Sequence, residues 1–289
     1  MCYVDIVDVA QRHRPPAGEL YLDHLAHFVP DLGAAAAVWE SLGFVVTPVS
    51  IHHVSGKPAG TSNRCVMLEE GYIELLAPML DTPNAQRVRE FMKRHAGVHL
   101  ASYGTPDAGA EHQRLVAHGF EPEPLVNLER KIETGDAVRF RVVYVPPDKM
   151  PEGRVQYCEH VTPQHVWREG FVNPLRLRAV YVVADDPEEA AVRWGRYGGL
   201  LPQPEDGFVR LDTARGRVLI GTPSRLSKLF GDIPAAPAFA GYALSCSDPD
   251  ALAARCSKAG MKAKGNVVTL PAALGGAWLL ESVGKEEDL

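Results

Sequence analysis

The stretch Tyr21-Leu-Asp-His24-Leu-Ala-His-Phe-Val29 opens a pattern that occurs twice in the first half of the chain. The first copy ends in Tyr72-Ile-Glu74-Leu-Leu-Ala-Pro78, and the second runs from Gly97-Val-His99-Leu-Ala-Ser-Tyr103 to Gln156-Tyr-Cys-Glu159-His-Val-Thr-Pro163. In each copy a histidine lies on the first strand-like run, and a glutamate lies four residues before a proline on the last. The pattern predicts a duplicated unit whose two copies place equivalent side chains in one site.

The repeat continues through the rest of the 289 residues. Four times, a short apolar strand leads through a turn containing Asp or Pro into a helix that closes on Gly and an apolar residue. Acids and prolines suit the first turn of a helix, and glycine suits a left-handed cap at its end. Strand-like stretches follow each helix. We therefore predict an α+β fold of four βαβββ units, paired into two halves that are each a partial barrel with a cleft.

The two halves of the chain differ in their content of possible metal ligands. The first takes residues 1–165, with units at about 20–80 and 97–163, and the second takes residues 175–289. A linker is predicted near 167–174 and a connecting helix near 81–96. All eleven histidines lie at or before His165, so the second half cannot build a site from two histidines and a carboxylate. We expect the chemistry in the first half, with the second half as a degenerate partner.

Composition excludes several classes of protein. The chain is 46% hydrophobic and 23% charged with a net charge of −6, and no run approaches the roughly 18 apolar residues of a membrane span. Mild acidity without a long basic tract argues against nucleic acid and anionic membranes as partners. The five cysteines are odd in number and lack CxxC spacing, which indicates reduced thiols. We expect a cytoplasmic protein, monomeric or homodimeric, that acts on a small molecule.

Several runs resemble the vicinal oxygen chelate superfamily. They are Leu22-Asp-His24 with Asp31-Leu32 seven residues on, the helix end Leu42-Gly43-Phe44, and Gly71-Tyr72-Ile-Glu74-Leu. The last of these, with the earlier run Gly60-Thr61-Ser62-Asn63, is most similar to the glyoxalase-like branch. Metal-dependent members take their ligands from the first and fourth strands of two paired units. Carried over to this sequence, the resemblance implies the ligand set His24, Glu74, His99 and Glu159.

The residue types support the same set, because two imidazoles and two carboxylates leave two positions of a six-coordinate divalent ion for water or substrate. The identity of the metal stays open among Zn, Ni, Co, Mn and Fe.

Glu74 or Glu159 is the predicted catalytic base. Residues 159 and 160 point to opposite faces of a regular strand, so only one of them should reach the site. Additional substrate contacts are predicted at His52, His53, Thr61, Asn63 and His160.

Three functions compete on this evidence. The first is proton abstraction, with isomerase or lyase outcome, on a substrate with two adjacent oxygens held by the metal. The second is an Fe(II) dioxygenase that uses His24, His99 and one glutamate as a facial triad. The third is a small-molecule or drug-binding protein that uses the same cleft without turnover. Proton abstraction is the leading hypothesis.

Overall fold

The structure is a computed structural model that describes residues 12–283. The first half contains β1 (Tyr21–Phe28), α1 (Leu32–Ser41), β2 (Ser50–Val54), β3 (Lys57–Glu70), β4 (Tyr72–Pro78), α2 (Pro83–Met92), β5 (Gly97–Gly104), α3 (Ala108–Ala117), β6 (Val126–Lys131), β7 (Ala137–Tyr144) and β8 (Arg154–His160). The second half contains β9 (Val172–Val183), α4 (Pro187–Gly198), β10 (Gln203–Glu205), β11 (Phe208–Asp212), β12 (Arg217–Gly221), α5 (Pro223–Phe230), β13 (Ala238–Cys246), α6 (Pro249–Lys258), β14 (Lys262–Lys264), β15 (Val267–Thr269) and β16 (Ala277–Ser282). The predicted α+β fold of four βαβββ units is confirmed.

Aspartate caps set the start of the helix in every unit. The side chains of Asp31, Asp107, Asp186 and Asp248 each accept hydrogen bonds from backbone N–H groups in the first helical turn. These bonds satisfy donors that the helix itself leaves free. The connecting helix predicted near 81–96 is α2, and Thr82 caps it. A second connecting helix, α5, joins units three and four and was not predicted.

The first half closes into an eight-stranded barrel, where the sequence predicted a partial one. Its strand order is β4-β3-β2-β6-β7-β8-β5-β1, and β1 returns to pair with β4. Antiparallel pairing of β2 with β6 seals one seam between the two units, and pairing of β1 with β5 seals the other. The second half stays open because β10 and β14, three residues each, form no pair with each other in the part of the chain that the structure describes.

The largest apolar core lies between the outside of the barrel and the second half. Trp39 of α1 and Trp278 of β16 are fully buried there, with ring centroids 4.6 Å apart. Strands β3 and β9 also pair in parallel, so the sheet runs from one half into the other. A separate apolar cluster, which includes Tyr72, Phe140 and Trp167, fills part of the barrel interior. The second half therefore supports the barrel from outside and leaves its interior for the site.

Within residues 12–283, no helix is both long enough and apolar enough to cross a membrane. Cys65, Cys158, Cys246 and Cys256 are buried free thiols, as predicted. Cys2 lies outside the described residues.

We expect the stability of the fold to decrease in mild acid because of His27. Its ring is fully buried, with Nδ1 3.0 Å from the Leu274 carbonyl oxygen and Nε2 3.1 Å from the Tyr242 hydroxyl. Burial lowers the pKa of His27 from 6.5 to about 4. Between these values the unfolded chain binds a proton that the folded chain does not, so stability is lost as the pH falls below 6.5.

For His27 alone, the loss between pH 7 and pH 5 amounts to about 2 kcal/mol. Urea unfolding at the two pH values measures it, and a His27→Leu variant should lose that share of the pH dependence whatever its absolute stability. An unchanged pH dependence in the variant would contradict this account.

Candidate functional site

The barrel interior forms a cleft with about 560 Å³ outside protein atoms, part of it open to solvent. One part of the wall is apolar and includes Leu76, Leu100, Leu128, Phe140 and Val142. The other part is polar and includes His24, His52, Thr61, Asn63, Glu74, Arg130, Arg154 and Gln156. The cleft therefore combines an apolar surface with a concentrated group of polar and charged side chains.

The imidazole of His24 is held by a neighbouring carboxylate. Its Nδ1 lies 2.7 Å from Oδ2 of Asp23, and its ring stacks on Tyr72 with centroids 4.4 Å apart. Because a carboxylate only accepts hydrogen bonds, Nδ1 carries a proton, and in the neutral ring Nε2 carries the lone pair. Nε2 has no hydrogen-bond partner among residues 12–283. His24 thus presents a fixed nitrogen acceptor on the wall of the cleft.

A β-bulge makes this pairing possible. Leu22 pairs with Tyr103 and His24 with Ser102, so Asp23 is an extra residue on β1. Its carboxylate also lies 2.9 Å from Nε2 of His160. Burial alone would raise the pKa of Asp23, but the attraction and hydrogen bonds of His160 and His24 hold that pKa well below its usual value. Asp23 is therefore an ionised link between two imidazoles.

The space for Asp23 depends on Gly71. This residue connects β3 to β4 with a φ of +74°, and a Cβ atom added to it would lie 2.7 Å from the backbone oxygen of Asp23. A side chain at position 71 would therefore collide with the bulge. The tight turn and the bulge fit together, which fixes the position of His24.

Glu74 faces the cleft from β4. Asn63 donates from Nδ2 to Oε1 of Glu74 at 2.7 Å, and Nε2 of His52 lies 3.6 Å from the same oxygen. The other ring nitrogen of His52 lies 2.9 Å from the Thr61 hydroxyl. Burial lowers the pKa of His52 to about 4 despite the nearby carboxylate, so the ring is neutral at pH 7. Glu74 Oε2 has no hydrogen-bond partner in the described part of the chain.

The structure thus brings together five of the residues singled out from the sequence. His24, Glu74, His52, Thr61 and Asn63 all line the cleft. His53 does not line it, and its Nδ1 lies 3.0 Å from the carbonyl oxygen of Ile51 in its own strand. His160 is buried against Asp23 and supports His24 indirectly, so it is not among the lining side chains.

His99 is not part of the cleft, which corrects one predicted ligand. It is the extra residue of a second bulge, because Ala26 pairs with Leu100 and the next pair is His27 with Val98. Its Nε2 lies 2.8 Å from the carbonyl oxygen of His95. The side chain that faces the cleft from this part of β5 is Leu100, which cannot bind a metal.

Glu159 is also outside the cleft, which corrects a second ligand and one of the two predicted bases. Its Oε2 accepts hydrogen bonds from Arg141 at 2.9 Å and from the backbone N–H of Ala108 at 3.0 Å, at the start of α3. The carboxylate is therefore used to cap a helix on the outer face of the barrel. Its neighbours Cys158 and His160 point inward, as the alternation of a strand requires.

The strand register explains both corrections. His24 lies seven residues before the cap Asp31, whereas the residue seven before the cap Asp107 is Leu100. His24 pairs with Tyr72 in β4, and Leu100 pairs with Arg154 in β8. Two residues beyond these partners lie Glu74 and Gln156. The true counterparts of His24 and Glu74 are therefore Leu100 and Gln156.

Sequence reasoning missed four residues of the site. These are Asp23, Arg130, Arg154 and Gln156, of which all but Asp23 line the cleft. The spacing to the two helix caps was the available signal, since it identifies Leu100 and the register of β8. No pattern in the sequence marked the two arginines as inward-facing, because arginine on a strand usually faces solvent.

The donors on the cleft wall that could hold a divalent metal form a smaller set than the sequence predicted. The set is one imidazole nitrogen from His24, one carboxylate from Glu74 and one amide oxygen from Gln156. Oε1 of Gln156 is buried and lacks a hydrogen-bond partner within the described residues, as expected of an oxygen that is left for a cation or a water molecule. Mixed oxygen and imidazole donors suit Mn and Fe among others.

A second group of ligating side chains is less suited to a metal. Asp23, Cys158 and His160 have candidate ligand atoms within 4.8 Å of one another, and they are the one such group of three or more His, Cys, Asp or Glu residues in the described chain. The Asp23 carboxylate is already bonded to two imidazoles. Burial raises the pKa of the Cys158 thiol well above its usual range, which disfavours the thiolate that a metal requires.

Comparison with solved structures shows the same fold in known proteins. A hypothetical protein from Staphylococcus aureus has a TM-score of 0.68 and 14% identity, covering 91% of this chain and 100% of that one. A variant of 4-hydroxymandelate synthase from Streptomyces coelicolor has a TM-score of 0.56 and 15% identity, covering 88% and 78%. The Mn(II)-bound glyoxalase from Novosphingobium aromaticivorans has a TM-score of 0.54 and 11% identity, covering 92% and 82%.

Sequence comparison identifies the family directly. No curated protein sequence matches the chain significantly. Residues 22–198, more than half of the chain, match the family model described as a glyoxalase-like domain. The match includes every barrel strand, except for Tyr21 at the start of β1, and every cleft residue discussed above. The chain therefore belongs to the glyoxalase-like domain family.

Proposed function

We propose that this protein is a glyoxalase-like enzyme that removes a proton from a carbon next to a carbonyl group, in a small substrate with two adjacent oxygens. The observation that carries the proposal is the position of Glu74, which supplies the one carboxylate on the cleft wall in the described chain. Asn63 and His52 hold Oε1, and Oε2 is left to accept the proton. Isomerase and lyase outcomes both begin with this step.

His24 supplies a nitrogen ligand for the metal that would hold the substrate oxygens. Its Nε2 is fixed in direction by the Asp23 hydrogen bond on the other side of the ring. His24, Glu74 and Gln156 are the residues that would hold a divalent metal. When bound, the metal would polarise the substrate oxygens and stabilise negative charge on them. The apolar wall limits water around the reacting carbon.

Exchange of the substrate proton with solvent tests this proposal. A set of small 2-hydroxy ketones and 2-oxo acids is incubated in D₂O with protein that has been supplied with Mn²⁺, and deuterium incorporation is followed by NMR. We expect exchange with the unaltered protein and a loss of at least about 100-fold in His24→Gln. The matched control His99→Gln should stay within about twofold, because His99 lies outside the cleft.

A non-catalytic binding protein is the second candidate. The observation that favours it is that the second unit contributes no ionisable group at the counterpart positions, Leu100 and Gln156. A binding protein would bind its ligand stoichiometrically and show no exchange with any compound of the set, with or without added Mn²⁺. The dioxygenase triad that includes His99 has no support, because His99 does not reach the cleft.

A further inference from the structure

Two arginines enter the cleft without an ion-pair partner. Arg130 lies on β6 opposite His52, is 5% exposed, and lines the cleft. Arg154 lies on β8 two residues before Gln156 and lines the same cleft. Among residues 12–283, neither guanidinium contacts a carboxylate in an ion pair. This differs from Arg139 on β7, which points to solvent and pairs with Glu129 at 2.9 Å.

The contacts of these two arginines are weak substitutes for a counter-ion. Arg130 lies 5.9 Å from the centre of the Phe140 ring. Arg154 lies over the rings of Phe28 and Tyr144 and donates one hydrogen bond of 3.2 Å to the side-chain oxygen of Asn84. Burial lowers the pKa of Arg154, because the charged guanidinium is solvated less well inside the protein than in water. Arg130 is buried and Arg154 is half-buried. A charge that is partly withdrawn from water without a counter-ion is unfavourable, so two such groups on one cleft wall favour an anion at that place.

The charges on the cleft wall do not cancel. Two guanidinium groups face the interior and Glu74 supplies the one carboxylate, so the described wall has a net charge of +1 if the buried histidines are neutral. Glu74 is already bonded to Asn63 and lies beside His52. The apolar residues Leu76, Leu100 and Leu128 lie on the same wall. The cleft therefore offers donors for an anionic head and an apolar surface for a tail.

We propose that Arg130 and Arg154 bind the carboxylate of the substrate, which makes the substrate class small 2-oxo or 2-hydroxy carboxylic acids with an apolar tail. This rests on the proposed function in that the same cleft binds the reacting molecule. Guanidinium groups bind carboxylates through two parallel N–H···O bonds, which fixes the orientation as well as the position of the acid. The carbon next to the carbonyl is then held in the same cleft as Glu74 Oε2.

The test compares an acid with its uncharged ester in protein freed of metal by chelation, so it does not depend on turnover. The probes are 4-methyl-2-oxopentanoate and its methyl ester, and binding is measured by titration calorimetry. We expect the acid to bind at least about tenfold more tightly, because a charge-assisted bidentate contact is worth more than the neutral contacts of the ester. Equal binding of acid and ester by the unaltered protein would overturn the proposal.

Variants then assign the effect to the two arginines. Arg130→Met and Arg154→Met should each weaken binding of the acid by roughly 10- to 100-fold and leave the ester unchanged. Arg139→Met, the exposed control on the same barrel, should bind like the parent. Circular dichroism checks that each variant is folded, and Arg130→Gln replaces Arg130→Met if it is not. Unaltered binding of the acid in folded Arg130 and Arg154 variants would remove the assignment.

Two further results keep this inference separate from the proposed function. If the acid binds through the arginines but no compound exchanges a proton, the anion site stands and proton transfer fails. If exchange occurs on neutral hydroxy ketones and acids do not bind, proton transfer stands and the anion site fails. Inorganic phosphate is titrated as a second probe, and tighter binding of phosphate than of the oxo acid would overturn the carboxylate assignment.

Discussion

An Asp23→Asn variant is expected to lose proton-exchange activity by about 10- to 100-fold while it binds the acid probe with a Kd within about threefold of the parent. Asp23 touches no substrate, so its effect must act through His24. In the parent the carboxylate accepts the Nδ1 proton at 2.7 Å. The asparagine amide can instead donate to Nδ1, which moves the ring proton to Nε2 and removes the lone pair from the cleft.

The same variant should lose about 3 kcal/mol of unfolding free energy, because it removes the charge from a fully buried cluster. His160 and His24 hold the pKa of Asp23 below 3.8, its usual value. The stabilisation is therefore present above pH 3.8 and is lost as the pH falls further through the folded-state value. Urea unfolding at pH 7 measures the loss, and a parent whose stability equals that of the variant would contradict the ionised cluster.

Nitrogen NMR of the imidazoles separates positioning from a purely structural effect. In the parent His24 should show the tautomer with the proton on Nδ1, and in Asp23→Asn this tautomer should decrease. His160→Gln is the control, since it removes the other imidazole from Asp23 and leaves the Asp23–His24 bond in place. We expect it to lower stability and to preserve the tautomer of His24. A variant of Asp23 with parental tautomer and parental exchange rate would show that the bond has no role in positioning.

The fold could be predicted because each unit carries local signals that agree with one another. An aspartate caps every unit helix, as at Asp31 and Asp107, and a glycine with positive φ follows each of these helices, as at Gly43 and Gly119. Such signals depend on a few neighbouring residues, so they can be recognised in a single sequence. Closure of the barrel depends instead on pairing between β2 and β6, which are far apart in the chain.

The sequence identified cleft-lining residues only in the first unit, and the reason is strand register. A bulge adds one residue, so the side chains that follow it face the opposite side of the sheet from those expected of a regular strand. His-Leu-Ala occurs at His24 and again at His99, but His99 takes the bulge position that Asp23 has in the first unit. The identical tripeptides therefore align one residue out of register. A short motif is thus a weaker guide than its distance to a helix cap.

The predicted equivalence of Glu74 and Glu159 was wrong for a similar reason. Alignment of Pro78 with Pro163 places Glu159 opposite Glu74, whereas pairing in the sheet places Gln156 there. Pro78 is the last residue of β4, whereas Pro163 lies three residues beyond the end of β8, so the two prolines are not equivalent. The two arginines could not be predicted at all. Their side chains point inward because Arg130 and Arg154 lie on the faces of β6 and β8 that form the barrel interior. No local sequence pattern indicates which face that is.

Matched substitutions of Glu74 and Glu159 distinguish the site that the sequence motif predicts from the site that the structure indicates. Glu74→Gln should lower proton exchange by at least about 100-fold and reduce bound divalent metal, because it removes the carboxylate on the cleft wall. Glu159→Gln should retain metal and keep its exchange rate within about twofold. It should instead lose about 1 kcal/mol of unfolding free energy, because it weakens the bonds to Arg141 and to the start of α3.

Elemental analysis, exchange rates and urea unfolding on the two variants give a crossed pattern. The sequence motif alone treats the glutamates as equivalent and predicts loss of metal and activity in both. The structure predicts that activity and metal follow Glu74, while Glu159 affects stability alone. Loss of exchange in a folded Glu159→Gln protein would mean that β8 has a different register in solution, since only a shift of that strand could bring this side chain inward. A parental rate in Glu74→Gln would instead remove the base from the mechanism and leave His24 as the nearest remaining acceptor.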